Sequence, residues 1–209
     1  MYWNKHPEFE GKHAFLSASQ YHWMAWSDEI LKQRYRNSFA NEVGTIIHEL
    51  ASKCIKRGIK LSDDDVTLII MTLKDNYIPD NVYDINRIIG NLKNFVNDSI
   101  DNRMSSEVLL FYTENAFGTS DAISFDGKKL KIFDLKTGAI QAHFEQLLLY
   151  AAYFCLEYNQ DPHNFDIDLR IYQNGEIAKF EPTGDEVQYY IDTVIEKELK
   201  LRNFIEQGV

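Results

Sequence analysis

Gly118-Thr-Ser-Asp121-Ala-Ile-Ser-Phe-Asp-Gly-Lys-Lys-Leu-Lys-Ile-Phe-Asp134-Leu-Lys136-Thr-Gly138 reads as two β-strands joined around Asp126-Gly127, a dipeptide that favours the tight turns of hairpins. Side chains alternate between the two faces of a strand, so Asp121 shares a face with Ile123 and Phe125. On the second strand Leu130, Ile132, Asp134 and Lys136 share one face. Both carboxylates therefore stand in line with core residues, where an unpaired charge costs several kcal/mol. A metal ion would supply the pairing.

The register decides how close the acids come. With Gly127-Lys128 as the two-residue loop, Asp126 pairs with Lys129 and Asp121 falls opposite Asp134. Directly opposed residues hold their Cβ atoms roughly 4.5–5.5 Å apart, near enough for two carboxylates to share one divalent cation. With Asp126-Gly127 as the loop the two become diagonal neighbours, roughly 7–8 Å apart. Lys136 projects from the same face as Asp134, one strand repeat further on. Two acids and a lysine converging at a sheet edge are suited to phosphodiester hydrolysis. A cation there polarises the phosphate and acidifies a water, and the lysine orients that water or neutralises developing charge.

The chain has 209 residues and 24.4 kDa, enough for one domain with a sizeable core. Its apolar fraction of 44% is that of a folded protein and excludes a disordered one. Cys54 and Cys155 each lie in an apolar helical stripe and read as reduced core residues, neither a disulfide nor a metal cluster. The opening Met-Tyr-Trp-Asn-Lys-His-Pro-Glu carries no charged-then-apolar signal, and no apolar run approaches membrane-spanning length, so a cytoplasmic protein without membrane association is expected. The net charge of −10 opposes nucleic-acid binding, which basic contacts normally drive. The basic residues are nevertheless clustered, at Lys32, Arg34 and Arg36, at Lys53, Lys56, Arg57 and Lys60, and at Lys128, Lys129 and Lys131.

No repeat, low-complexity segment or linker interrupts the chain. Residues 1–105 read as mainly helical, 106–182 as a sheet core with an inserted helix, and 184–206 as a closing helix. Ser17 or Ser19 is positioned to cap a short helix through Trp23 and Trp26. From Asn41 to about Arg57 the apolar residues Val43, Ile46, Ile47, Leu50, Ala51, Cys54 and Ile55 keep a 3.6-residue rhythm, and Gly58 ends it. Ser62 before Asp63, Asp64 and Asp65 marks a helix start that runs to about Tyr77. A further helix is expected from about Tyr83 to Asp101. Then come a strand at Val108–Glu114, the hairpin, a helix at Ile140–Tyr158, strands at Phe165–Gln173 and Glu176–Glu181, and a helix from about Asp185 to Ile205. That order predicts a mixed α/β domain around one central sheet.

His48 lies on the flank of the 41–57 helix, in line with Gly44 and Ala51, small neighbours that let this flank approach another element closely. It offers a nitrogen ligand beside the acid pair, suited to Mg²⁺ or Mn²⁺. Gln146 and Tyr150, four apart on the helix after Lys136, point the same way and form a polar ridge for substrate. Glu114, at the end of the first strand, is a further candidate acid near the metal.

The ordered set Gly44-x-x-x-His48, Gly118-x-x-Asp121, Asp134-x-Lys136 and Gln146-x-x-x-Tyr150 resembles the RecB-type branch of the PD-(D/E)XK nuclease superfamily. His13-Ala-Phe-Leu-Ser-Ala-Ser and Gly44-Thr-Ile-Ile-His48-Glu-Leu resemble its phage- and prophage-borne members. The resemblance implies a restriction-endonuclease-like core and metal-dependent cleavage of DNA, in the manner of the compact exonucleases of phage recombination. It implies that His48, Asp121, Asp134 and the backbone carbonyl of Leu135 hold Mg²⁺ or Mn²⁺, with Lys136 catalytic and Gln146 and Tyr150 near DNA. Some relatives carry four cysteines for an iron–sulfur cluster; with two, this chain is expected to have none. The resemblance also suggests a single-strand annealing protein as partner, and a homo-oligomeric ring would help an acidic chain hold DNA. The rival readings are a catalytically silent module of the same fold that binds DNA or a partner protein, and a metal hydrolase acting on RNA or a nucleotide.

Overall fold

The hairpin forms in the first of the two registers. In the computed structural model Phe125 pairs with Leu130, Ile123 with Ile132 and Ala122 with Phe133. Carried outward, the same register brings Asp126 to Lys129 and Asp121 to Asp134. Asp126 closes the turn with its side chain, Oδ1 accepting from the N–H groups of Lys128 at 2.9 Å and Lys129 at 2.8 Å. Gly127 supplies the left-handed residue the turn needs, at φ 88°.

The structure describes residues 14–77, 89–138 and 141–207, together with Pro7 and Ile85. A 3₁₀ turn, Ala18–Ala25, precedes three helices, α1 (Asp28–Arg57), α2 (Asp63–Tyr77) and α3 (Leu92–Asp101). Strands β1 (Ser105–Thr113), β2 (Ala116–Phe125) and β3 (Lys129–Leu135) follow, then α4 (Glu145–Tyr158), β4 (Asp166–Gln173), β5 (Glu176–Phe180) and α5 (Gly184–Glu206). The five strands form one mixed sheet in chain order. Its β3 and β4 are parallel, joined through α4, and the other neighbours are antiparallel. This is an α/β architecture flanked by helices, with a helical N-terminal region, compatible with the expected restriction-endonuclease-like core.

Strand β3 is covered on both faces, as a strand in parallel pairing usually is. Phe133 and Leu135 face a core with Ile47 of α1, Phe95 of α3 and Tyr172 of β4. Leu130 and Ile132 face a second core with Leu147 and Ala151 of α4 and Val187 of α5. Both cysteines are free and buried, as read from the sequence. Among the described residues no helix is long and apolar enough to cross a membrane.

Several boundaries moved for identifiable reasons. Helix α1 begins at Asp28, 13 residues before the expected Asn41, where Ser27 accepts from the Ile30 N–H and Asp28 and Glu29 occupy the first turn. Neither Ser17 nor Ser19 caps the 3₁₀ turn with its side chain; their hydroxyls bond each other at 2.7 Å. Helix α4 starts at Glu145, not Ile140, because Gln173 claims the preceding connection. Its Oε1 accepts from the Ala142 N–H and its Nε2 donates to the Gly138 carbonyl, both at 2.9 Å. The expected 83–101 helix is seen as α3, with Ile85 and Ile89 also helical and buried; residues 78–84 and 86–88 lie outside the described ones.

Candidate metal-binding active site

Past Ala122 and Phe133, β2 and β3 stop exchanging ladder bonds. The Leu135 N–H then finds its acceptor in the Asp121 side chain, Oδ2 at 2.9 Å, in place of a β2 carbonyl. A short notch opens where the two strands part, with Asp121 midway along β2 and Asp134 one residue before the end of β3. Asp121 turns its second oxygen to α1, where His48 Nδ1 lies 3.4 Å from Oδ1. The helix comes this close because Gly44 has no side chain: a Cβ there would meet Thr137 Oγ1 at 2.9 Å.

Asp134 is the buried acid, 2% exposed. Lys136 Nζ lies 3.0 Å from its Oδ2, an ion pair whose angles do not make a hydrogen bond, so that enclosed oxygen has no hydrogen-bond partner. Lys136 donates instead to Gln146 Oε1 at 2.7 Å, and Gln146 Nε2 donates to the Tyr150 hydroxyl at 2.8 Å. Tyr150 packs over Gly118, where a Cβ would come within 2.9 Å of its ring. The four motifs separated along the chain thus meet at one end of the sheet. Of the named site residues, His48, Asp121, Asp134, Leu135, Lys136, Gln146 and Tyr150 come together.

Glu114 does not join them. It sits exposed in the turn between β1 and β2, seven residues along the strand from the notch, on the order of 20 Å at about 3.3 Å per residue. The acid that takes the expected place is Glu107. In the register of β1 with β2, Glu107 falls opposite Asp121, yet the ladder skips that pair between Ser106–Ala122 and Val108–Ser120. Glu107 has a left-handed backbone, φ 54°, unusual for a glutamate inside a strand. One ligand atom from each of His48, Glu107 and Asp121 lies within 4.8 Å of the others. The sequence reading missed it because the expected strand began at Val108, whereas β1 begins at Ser105 and so includes Glu107, on the face of Asp121.

The electrostatics follow from crowding. Burial and the Asp121 charge push the Asp134 carboxyl up to about 6, against the pull of Lys136 and His48. Burial and Asp121 also raise Glu107. Burial works to lower His48, but its bond to Asp121 and the charges of Asp121, Asp134 and Glu107 outweigh that and raise it. Burial raises the Tyr150 hydroxyl, keeping it a proton donor. Acids crowded so that one resists ionising lack positive charge.

These residues fit a divalent cation. Carboxylates with one imidazole are hard oxygen donors plus a nitrogen, matching Mg²⁺ or Mn²⁺ better than softer metals. Exposed acidic groups are common without an ion; a buried carboxylate oxygen with no hydrogen bond is not.

Residues 13–201 match the model of a family described as "Protein of unknown function (DUF2800)". Among curated proteins none matches the chain. The matched span takes in the whole assembly from Gly44 to Tyr150, and the chain belongs to the DUF2800 family.

Proposed function

We propose that this chain is a divalent-metal-dependent deoxyribonuclease, an exonuclease hydrolysing phosphodiester bonds of DNA in phage or prophage recombination or processing. The observation that carries the reading is the placement of Lys136, held between the buried Asp134 carboxylate and Gln146 beside the Asp121–His48 pair. His48, Asp121 and Asp134 would hold the cation together with the Leu135 carbonyl, and Glu107 stands within 4.8 Å of His48 and Asp121, a group that Asp134 does not enter. Bound there, Mg²⁺ or Mn²⁺ supplies a Lewis acid for the phosphoryl oxygens and lowers the pKa of a water.

The protein's own part is positioning. An ammonium has three donors. Gln146 accepts one of them from Lys136 while the Asp134 charge holds the ammonium 3.0 Å away, and the donors left over can serve the attacking water or a phosphate oxygen. Tyr150 accepts from Gln146, so its own proton is left for an outside acceptor, which suits a phosphate oxygen of the strand. Gln146 links the two donors and keeps them in step.

One observation favours a different reading. The net charge of −10 suits a catalytically silent module that binds a protein partner better than an autonomous DNA-degrading enzyme. Against it stands the intact set of two acids and a lysine, which binding alone does not require. Incubating end-labelled linear DNA with Mg²⁺ or Mn²⁺ separates the two. Nucleotide release that EDTA and Lys136→Ala both abolish supports the nuclease. No release from DNA, with release from RNA or a nucleotide, would transfer the chemistry to that substrate. No release from any of them leaves the silent module.

A further inference from the structure

Thr45, Glu49, Ser52 and Lys56 recur at helical spacing along one face of α1. With His48 and Lys53 they form one wall of an open cleft of about 550 Å³, and Glu107 and Asp121 form the other. Along α1 this wall runs from His48 to Lys53 and Lys56, and the Lys56 charge acts on Glu107 of the other wall. His48 and Lys56 are eight residues apart, a rise of about 12 Å along the helix. That is roughly the length of three stacked nucleotides at about 3.4 Å each along one strand.

We propose that this cleft receives an unpaired DNA end, with Lys53 and Lys56 gripping the backbone phosphates next to the one that reacts. The inference rests on the nuclease reading for the chemistry at the His48 end. An open cleft of this size, within the roughly 300–1,000 Å³ of small-ligand pockets, suits an unpaired strand end better than a duplex. Lys53 is partly occupied, 3.2 Å from Glu49. Among the described residues Lys56 has no carboxylate at ion-pair distance, so it is the stronger of the two clamps. Ser52 is buried and committed to Ser106, their hydroxyls 3.0 Å apart, which fixes this stretch of α1 against β1. Lys53 and Lys56 share the cleft with Glu49, Glu107 and Asp121, so its grip on a polyanion depends on these two lysines.

The test is fluorescence anisotropy with a labelled short oligothymidylate, and with a blunt duplex of the same length, in Lys136→Ala protein so that nothing is cut. The expected result is tighter binding of the single strand. Adding Lys53→Ala and Lys56→Ala should weaken it by about tenfold and flatten the slope of log affinity against log salt by about 1.4, at ~0.7 per lost phosphate contact on a single strand. Arginine at both positions should restore the slope. An unchanged slope in the alanine variant, equal or better binding of the duplex, or no binding at all would overturn the inference. The two readings fail separately. Strand binding as described without nucleotide release by the wild-type protein keeps the cleft and removes the nuclease; release with an unaltered slope does the reverse.

Discussion

A Cβ on Gly44 would stand 2.9 Å from Thr137 Oγ1, so the helix that carries His48 and the strand end that carries Asp134 and Lys136 touch at a position without a side chain. That contact sets the width of the notch. Gly44→Val should force α1 outward, costing about 1–3 kcal/mol by overpacking and weakening Mn²⁺ binding by about tenfold or more. Gly44→Ala should do less, because Thr137 can rotate its hydroxyl away, and Thr137→Ala should rescue it. Thermal melts and Mn²⁺ titration calorimetry check both; wild-type Mn²⁺ affinity in Gly44→Val would show that the spacing is irrelevant.

Removing Lys136 tests the chemistry without touching the core. Lys136→Ala should fold and bind Mn²⁺ while losing on the order of 10² to 10³ in single-turnover rate, the loss typical of deleting one preorganised donor. Gln146→Ala should lose less, since it frees the lysine without removing it. Near-normal cleavage by Lys136→Ala would refute the assignment.

Much of this was legible in the sequence, and what was missed has physical causes. The Asp126-Gly127 turn fixed two registers, and the observed one brings Asp121 to Asp134. His48 was readable because Gly44 and Ala51 flank it at helical spacing. Glu107 was not read, because the strand was expected to begin at Val108 and the pairing of β1 with β2, which sets Glu107 opposite Asp121, has no short-range signal. Glu114 was picked in its stead for standing near the strand end, but that end is the hairpin turn, far from the notch. The start of α1 had a readable signal in Ser27-Asp28-Glu29, overshadowed by the stronger apolar rhythm from Val43. The late start of α4 could not be read, since the competing bonds come from Gln173, 31 residues beyond Ala142.

Asp121→Asn separates folding from metal binding. The amide oxygen can still accept the Leu135 N–H, so the strand ends should stay in place. The charge is gone, so Mn²⁺ binding should fall below detection by calorimetry. Retained Mn²⁺ affinity in a folded Asp121→Asn protein would remove Asp121 from the ligand set.

Stability should depend on pH in a direction the buried acid dictates. The folded chain holds the Asp134 proton up to about pH 6, whereas an ordinary aspartate releases it near 3.8. The resulting stabilisation is full below pH 3.8 and is lost as pH rises through about 6, a change of about 3 kcal/mol. His48 is also raised, so its contribution is present below 6.5 and lost as pH climbs past that value. In EDTA, urea midpoints should therefore fall between about pH 4 and pH 8. Asp134→Asn should flatten that fall, and Mn²⁺ should offset it in the wild type alone. A wild-type midpoint that rises across this range in EDTA would contradict the raised affinity of the buried Asp134 carboxyl for its proton.

Glu107 holds a backbone conformation that glycine adopts without cost. Glu107→Gly should leave the melting temperature unchanged or raise it while weakening Mn²⁺ binding. Loss of stability together with unaltered Mn²⁺ affinity would make Glu107 a structural residue only.

The most direct measurement is anomalous diffraction from a crystal soaked in Mn²⁺. The account predicts a peak bounded by carboxylate oxygens of Asp121 and Asp134 with His48 alongside. A fully soaked crystal with no peak there, or with Asp134 bonded only to Lys136 and manganese bound elsewhere, would contradict it.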